Sequence, residues 1–91
     1  MTTISTPTIR LIPGERVSLT GVIRDTSTVS LGASPVYRCV LASSGGDVDL
    51  LFLGRGTIAG ITVGTRCVIQ GTVVIHCGRL AVWNPRYRLL P

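Results

Sequence analysis

Val17-Ser18-Leu19-Thr20-Gly21-Val22-Ile23 alternates apolar with small or polar residues, the period of a strand with one face in a core. Gly21 interrupts the alternation, as a bulge or a sharp coil in a strand would. The texture resumes at Thr28-Val29-Ser30-Leu31. One long, glycine-kinked first strand is therefore expected. In a chain of this size it fits a small closed barrel, where closure removes the exposed sheet edges.

Outward from that stretch, Gly32-Ala33-Ser34-Pro35 reads as a turn and Val36 to Ala42 as a second strand. Ser43-Ser44-Gly45-Gly46-Asp47 is a hairpin connection, and Val48 to Leu53 a third strand. Arg55-Gly56-Thr57-Ile58-Ala59-Gly60 has room for one or two helical turns. Strand four is expected over Arg66 to His76, with Gly71 as a second bulge candidate. Cys77-Gly78 turns into strand five, Arg79 to Leu90, broken at Asn84-Pro85. The expectation is an all-β, five-stranded Greek-key barrel with a short helical segment between strands 3 and 4. That segment favours the OB-fold over an SH3-like barrel, because there it closes the barrel bottom. Residues 1–13, rich in Ser, Thr and Pro, read as a flexible or loosely docked arm on a domain spanning 14–91.

The 91 residues suffice for one domain. Apolar residues make up 45% and charged residues 14%, which excludes a disordered tail. No apolar run reaches transmembrane length, and Met1 to Thr6 has neither the basic start nor the apolar stretch of a signal peptide. All nine basic residues are arginine, against four carboxylates (Glu15, Asp25, Asp47, Asp49), for a net charge of +5. Such a balance points to a polyanionic partner, nucleic acid first. Cys39, Cys67 and Cys77 are an odd count without a C-x-x-C spacing, which reads as reduced thiols in a cytoplasmic protein.

The block Asp49-Leu50-Leu51-Phe52-Leu53-Gly54, the segment Ile58 to Ile61, the run Val63 to Val73, and the ending Trp83-Asn84-Pro85-Arg86-Tyr87-Arg88-Leu89 resemble the OB-fold nucleic-acid-binding family. The ending is similar to that of the wedge OB domain of RecG-type helicases and to small stand-alone actinobacterial OB proteins. The resemblance covers about residues 14 to 90. It implies a five-stranded barrel that binds single-stranded or branched nucleic acid, with DNA ahead of RNA. It implies no motor activity, and no phosphate loop is present.

Alternation assigns the faces. Tyr37, Cys39 and Leu41 point inward on strand two; Val36, Arg38 and Val40 point outward. Val48, Leu50 and Phe52 point inward on strand three; Asp49, Leu51 and Leu53 outward. On strand four Cys67, Ile69, Gly71, Val73 and Ile75 share the core face. On strand five Leu80, Val82, Tyr87 and Leu89 point in, and Ala81, Trp83, Arg86 and Arg88 out. OB-folds bind across strands two and three, between the loops joining strands one to two and four to five. The nucleic-acid-binding candidates are therefore Arg38, His76, Arg79, Trp83, Arg86 and Arg88, with arginines for phosphates and Trp83 for a base. Val36, Val40, Leu51 and Leu53 form an apolar outward face, which suits an alternative reading as a protein-interaction module or homodimer.

Other chemistries fit poorly. Gly54-Arg55-Gly56-Thr57-Ile58-Ala59 matches G-x-G-x-x-A, but no crossover helix fits before Gly64. His76 and Cys77 are neighbours, so on a strand they point to opposite faces and make a poor catalytic pair. Asp47 and Asp49 alone make a weak cation site. No enzyme activity, metal, small-molecule cofactor or membrane partner is expected.

Overall fold

The computed structural model describes residues 10–91. The chain is all-β, with strands β1 (Arg16–Leu31), β2 (Ser34–Ser43), β3 (Gly46–Leu53), β4 (Arg66–His76), β5 (Arg79–Trp83) and β6 (Arg86–Leu89). Five of them join in a hydrogen-bonded ring, β1-β2-β3-β5-β4, which β1 and β4 close. All ring contacts are antiparallel except β3 with β5, which is parallel.

The long first strand makes the ring possible. Residues Arg16 to Val22 pair with β4, and Gly21 to Leu31 pair with β2. The hand-over falls at Gly21, where an added Cβ would collide with the carbonyl of Ala42. The bulge expected at Gly21 sits instead between Ile23 and Asp25, and β1 keeps regular register with β4 through Gly71. Both glycines serve close approach: a Cβ on Gly71 would run into Val82.

The inward faces agree closely with the alternation. Leu19, Ile23, Tyr37, Cys39, Leu41, Val48, Leu50, Phe52, Cys67, Ile69, Val73 and Val82 form one buried cluster. Each large apolar side chain so buried contributes about 1.5–3 kcal/mol. Ile75 departs from the expectation and is 56% exposed, because it lies one residue from the β4–β5 turn, beyond the packed core. Tyr87 and Leu89 are also exposed, although Tyr87 meets Phe52 edge to face at 5.8 Å.

No helix forms between β3 and β4, contrary to the sequence expectation. Residues 54–65 run as a chain of turns. Gly54, Gly60 and Gly64 all take positive φ, at 79°, 85° and 93°, which α-helical geometry does not allow. The segment still closes one end of the core. Ile58 and Ile61 are buried in it, and the Tyr37 hydroxyl donates to the Ile61 carbonyl at 2.6 Å. Its far end is tied to β1: Ile23 N–H donates to Thr65 O at 2.8 Å and Gly64 N–H to Ile23 O at 2.7 Å.

The expected fifth strand is two strands, giving six in all. Asn84 adopts φ +46°, a region Asn tolerates better than most residues. Its N–H donates to Leu51 O at 2.7 Å, and its Oδ1 accepts from Leu53 N–H at 2.9 Å. Pro85 removes a donor and the chain shifts. β5 covers Val73 to His76 of β4, and β6 covers Cys67 to Gln70. At the other end of the domain, Leu11 packs on the core and Gly14 N–H donates to Val73 O at 2.7 Å. The rest of the segment expected as a flexible arm, residues 1–9, lies outside the described residues. No helix among the described residues is long and apolar enough to cross a membrane.

Candidate nucleic-acid interface

The outward face of β2, β3, β5 and β4 holds a second apolar cluster. Val36, Leu51 and Ala81 are buried there, with Val74 and Trp83 packed against them. The register explains the grouping, because Val36, Arg38 and Val40 oppose Leu53, Leu51 and Asp49, while Asp49 and Leu51 oppose Ala81 and Trp83. Of the four apolar residues read as a protein interface, Val36, Val40 and Leu51 are thus covered by their own chain, and only Leu53 is open, at 50%. Alternation gave their direction correctly; it could not tell that neighbouring side chains shield them.

Asp49 lies beside this cluster and is 3% exposed. Two arginines answer it. Arg38 donates from Nε to Oδ2 at 3.1 Å and from Nη2 to Oδ1 at 3.4 Å. Arg79 donates from Nε to Oδ1 at 3.1 Å and Oδ2 at 3.0 Å. The carboxylate raises the Arg79 pKa further above its already high value, chiefly through these hydrogen bonds. Both arginines remain open to solvent, with side chains 29% and 45% exposed. They border a groove of about 370 Å³, floored by Val36 and Leu51 and walled by Val29 and Ser30 of β1 and by His76 and Cys77. The β4–β5 turn at that wall carries φ +52° at Cys77 and +74° at Gly78, the two positive φ values a tight type I′ hairpin needs.

His76 and Trp83 come together edge to face, ring centres 5.0 Å apart. Trp83 is half-buried against the apolar cluster. It therefore covers the sheet and also lines a second groove of about 360 Å³, together with Arg16, Gln70, Thr72, Asn84 and Arg86. A third, of about 280 Å³, continues past Gln70 and Arg86 to Arg88. Arg86 and Arg88 oppose Gln70 and Val68 across β4, and Arg16 opposes Thr72 from the β1 side. Among the described residues, Arg16, Arg86 and Arg88 have no carboxylate within ion-pairing distance, unlike Arg24, which meets Asp47 at 2.9 Å.

The structure thus gathers Arg38, Arg79 and His76 at one groove and Arg86, Arg88 and Trp83 along its neighbours. Arg16 and Gln70 escaped the sequence reading, since only the β1–β4–β6 register brings Gln70 beside β6 and Arg16 to the other edge of β4. The two buried thiols are held in their protonated form at neutral pH. Burial pushes Cys39 up to about 11 and raises Cys67 as well. No group of three or more potential metal ligands exists among the described residues. Compared with known proteins, the chain matches no family model, no curated protein and no solved structure.

Proposed function

We propose that this chain is a non-catalytic nucleic-acid-binding domain of the OB-fold type, taking single-stranded or branched nucleic acid on the outward face of its sheet. The observation that carries this reading is the set of arginines lining the grooves on this face, two of them in the groove that Trp83 lines. Arg16, Arg86 and Arg88 flank β4 without carboxylate partners, and Arg38 and Arg79 border the adjoining groove. A five-strand ring with β3 and β5 parallel is compatible with a Greek-key OB barrel, whose ligand face spans strands two and three and the loops beside them. The groove bordered by the end of β1, β2, β3 and the β4–β5 turn supports that reading. Arginine–phosphate attraction supplies the affinity, and the partly open Trp83 ring offers a limited stacking surface.

Of the four residues of the dimer reading, Leu53 alone is open. Fluorescence anisotropy of a labelled oligothymidylate, titrated at low and moderate salt, tests the proposal. Micromolar or tighter binding is expected, with log K falling against log salt at a slope of about −2 to −3.5 for three to five phosphate contacts to a single strand. Absence of binding at low salt would overturn it.

A further inference from the structure

Asp49 is an expensive residue where it stands. It is 3% exposed and faces Val40 on β2 and Ala81 on β5, beside an apolar cluster. An apolar side chain there would avoid the cost of dehydrating a carboxylate. The register shows what the carboxylate does instead. Arg38 lies two residues from Val40 and Arg79 two residues from Ala81, so the arginines reach Asp49 diagonally from both neighbouring strands. Each gives its Nε to the carboxylate. Arg38 adds one Nη2 contact, and Arg79 keeps both Nη groups unengaged by Asp49. Both arginines border the groove of about 370 Å³, beside Val36 and Leu51.

We propose that Asp49 is a positioning residue that holds Arg38 and Arg79 as a preformed two-pronged clamp for one phosphodiester of a single strand. The inference rests on the nucleic-acid reading above and deepens it. A flexible arginine loses side-chain freedom when it binds a phosphate. Two guanidiniums already fixed by their Nε edges have lost most of that freedom beforehand, so more of each charge-assisted hydrogen bond appears as affinity. Asp49 thereby strengthens binding of an anion even though its own charge repels one.

That opposition makes the test sharp. If Asp49 acted only through its charge, Asp49→Asn would tighten binding of oligothymidylate, because the groove loses a negative charge. The clamp requires the reverse: Asp49→Asn weakens binding about tenfold, the equivalent of one charge-assisted hydrogen bond. The salt slope flattens with it by about 0.7 for one lost phosphate contact. The charge-keeping double variant Arg38→Lys/Arg79→Lys weakens binding to a similar degree, since an ammonium cannot serve carboxylate and phosphate through separate edges. Adding Asp49→Asn to that double variant costs little more. A purely structural role for Asp49 would lower the melting temperature and leave affinity and slope of the folded protein unchanged. Should Asp49→Asn fail to fold, the lysine pair, at partly exposed positions, decides alone. Tighter or unchanged binding in the decisive variant overturns the clamp while leaving the wider interface standing. Failure of the unaltered chain to bind overturns both.

Discussion

At the scale of single residues, the polar and reactive groups are placed by what covers them. Asn84 sits in the left-handed region because its side-chain oxygen and backbone N–H both engage β3 there. Cys39 acts as a small apolar core residue, and its burial has a consequence for alkaline stability. Its thiol is pushed up from 9.0 to about 11 in the folded chain, so the unfolded chain loses that proton first. The folded state then binds more protons than the unfolded one, and stability falls as pH rises through that window. Unfolding free energies from urea titrations should be flat below about pH 8.5 and drop between pH 9 and 11, by on the order of 2 kcal/mol from this group. In Cys39→Ala, less stable at neutral pH because of the small cavity, the alkaline fall should be shallower. Equal slopes in the two proteins would remove Cys39 as the cause.

At the scale of elements, β1 carries the closure of the ring. Its N-terminal half belongs to β4 and its C-terminal half to β2, and the crossing point has no space for a side chain. Gly21→Ala should therefore cost about 3 kcal/mol, at the upper end of the usual range for overpacking. Gly56 offers the opposite case. It has an ordinary φ, and an added Cβ there meets nothing within 4 Å. Gly56→Ala should be neutral or stabilise by up to about 1 kcal/mol, through reduced freedom of the unfolded chain. Thermal melts of the two variants check both signs, and a stable Gly21→Ala would mean that the β1–β2–β4 crossing is looser than its register implies. The split of β5 from β6 is equally mechanical: Asn84 and Pro85 halt one pairing and let the chain resume against the other half of β4.

At the scale of the whole molecule, the net charge of +5 is unevenly spent. Arg24, Arg38 and Arg79 are ion-paired, whereas Arg16, Arg86 and Arg88 line grooves that share Gln70 and Arg86 or lie beside them. A single strand following those grooves would feel these three most. Arg86→Gln/Arg88→Gln should flatten the salt dependence of oligothymidylate binding by about 1.4 in slope, since each lost contact to a single strand removes about 0.7. Arg24→Gln, whose partner is Asp47, should change the slope much less. Equal effects from the two variants would indicate a diffuse attraction to net charge and would remove the β4–β6 strip as the path.

The strands were legible in the sequence because a strand writes its two faces into alternate residues. The core face of β2 and β3 and most of β4 could be read in that way, down to the limits of β4 itself. That Gly21 is a special point of β1 was legible too, though its role was not: a bulge and a close approach leave the same mark in a sequence. The segment from Arg55 to Gly60 was misread because Ile58 suits a helical turn as well as it suits a plug on an irregular loop. Only the tertiary structure decided what lies side by side. The parallel meeting of β3 with β5, Asp49 beneath two arginines, and Arg16 across β4 from β6 join residues up to tens of positions apart. No local period records such pairings; they follow from how the ring closes.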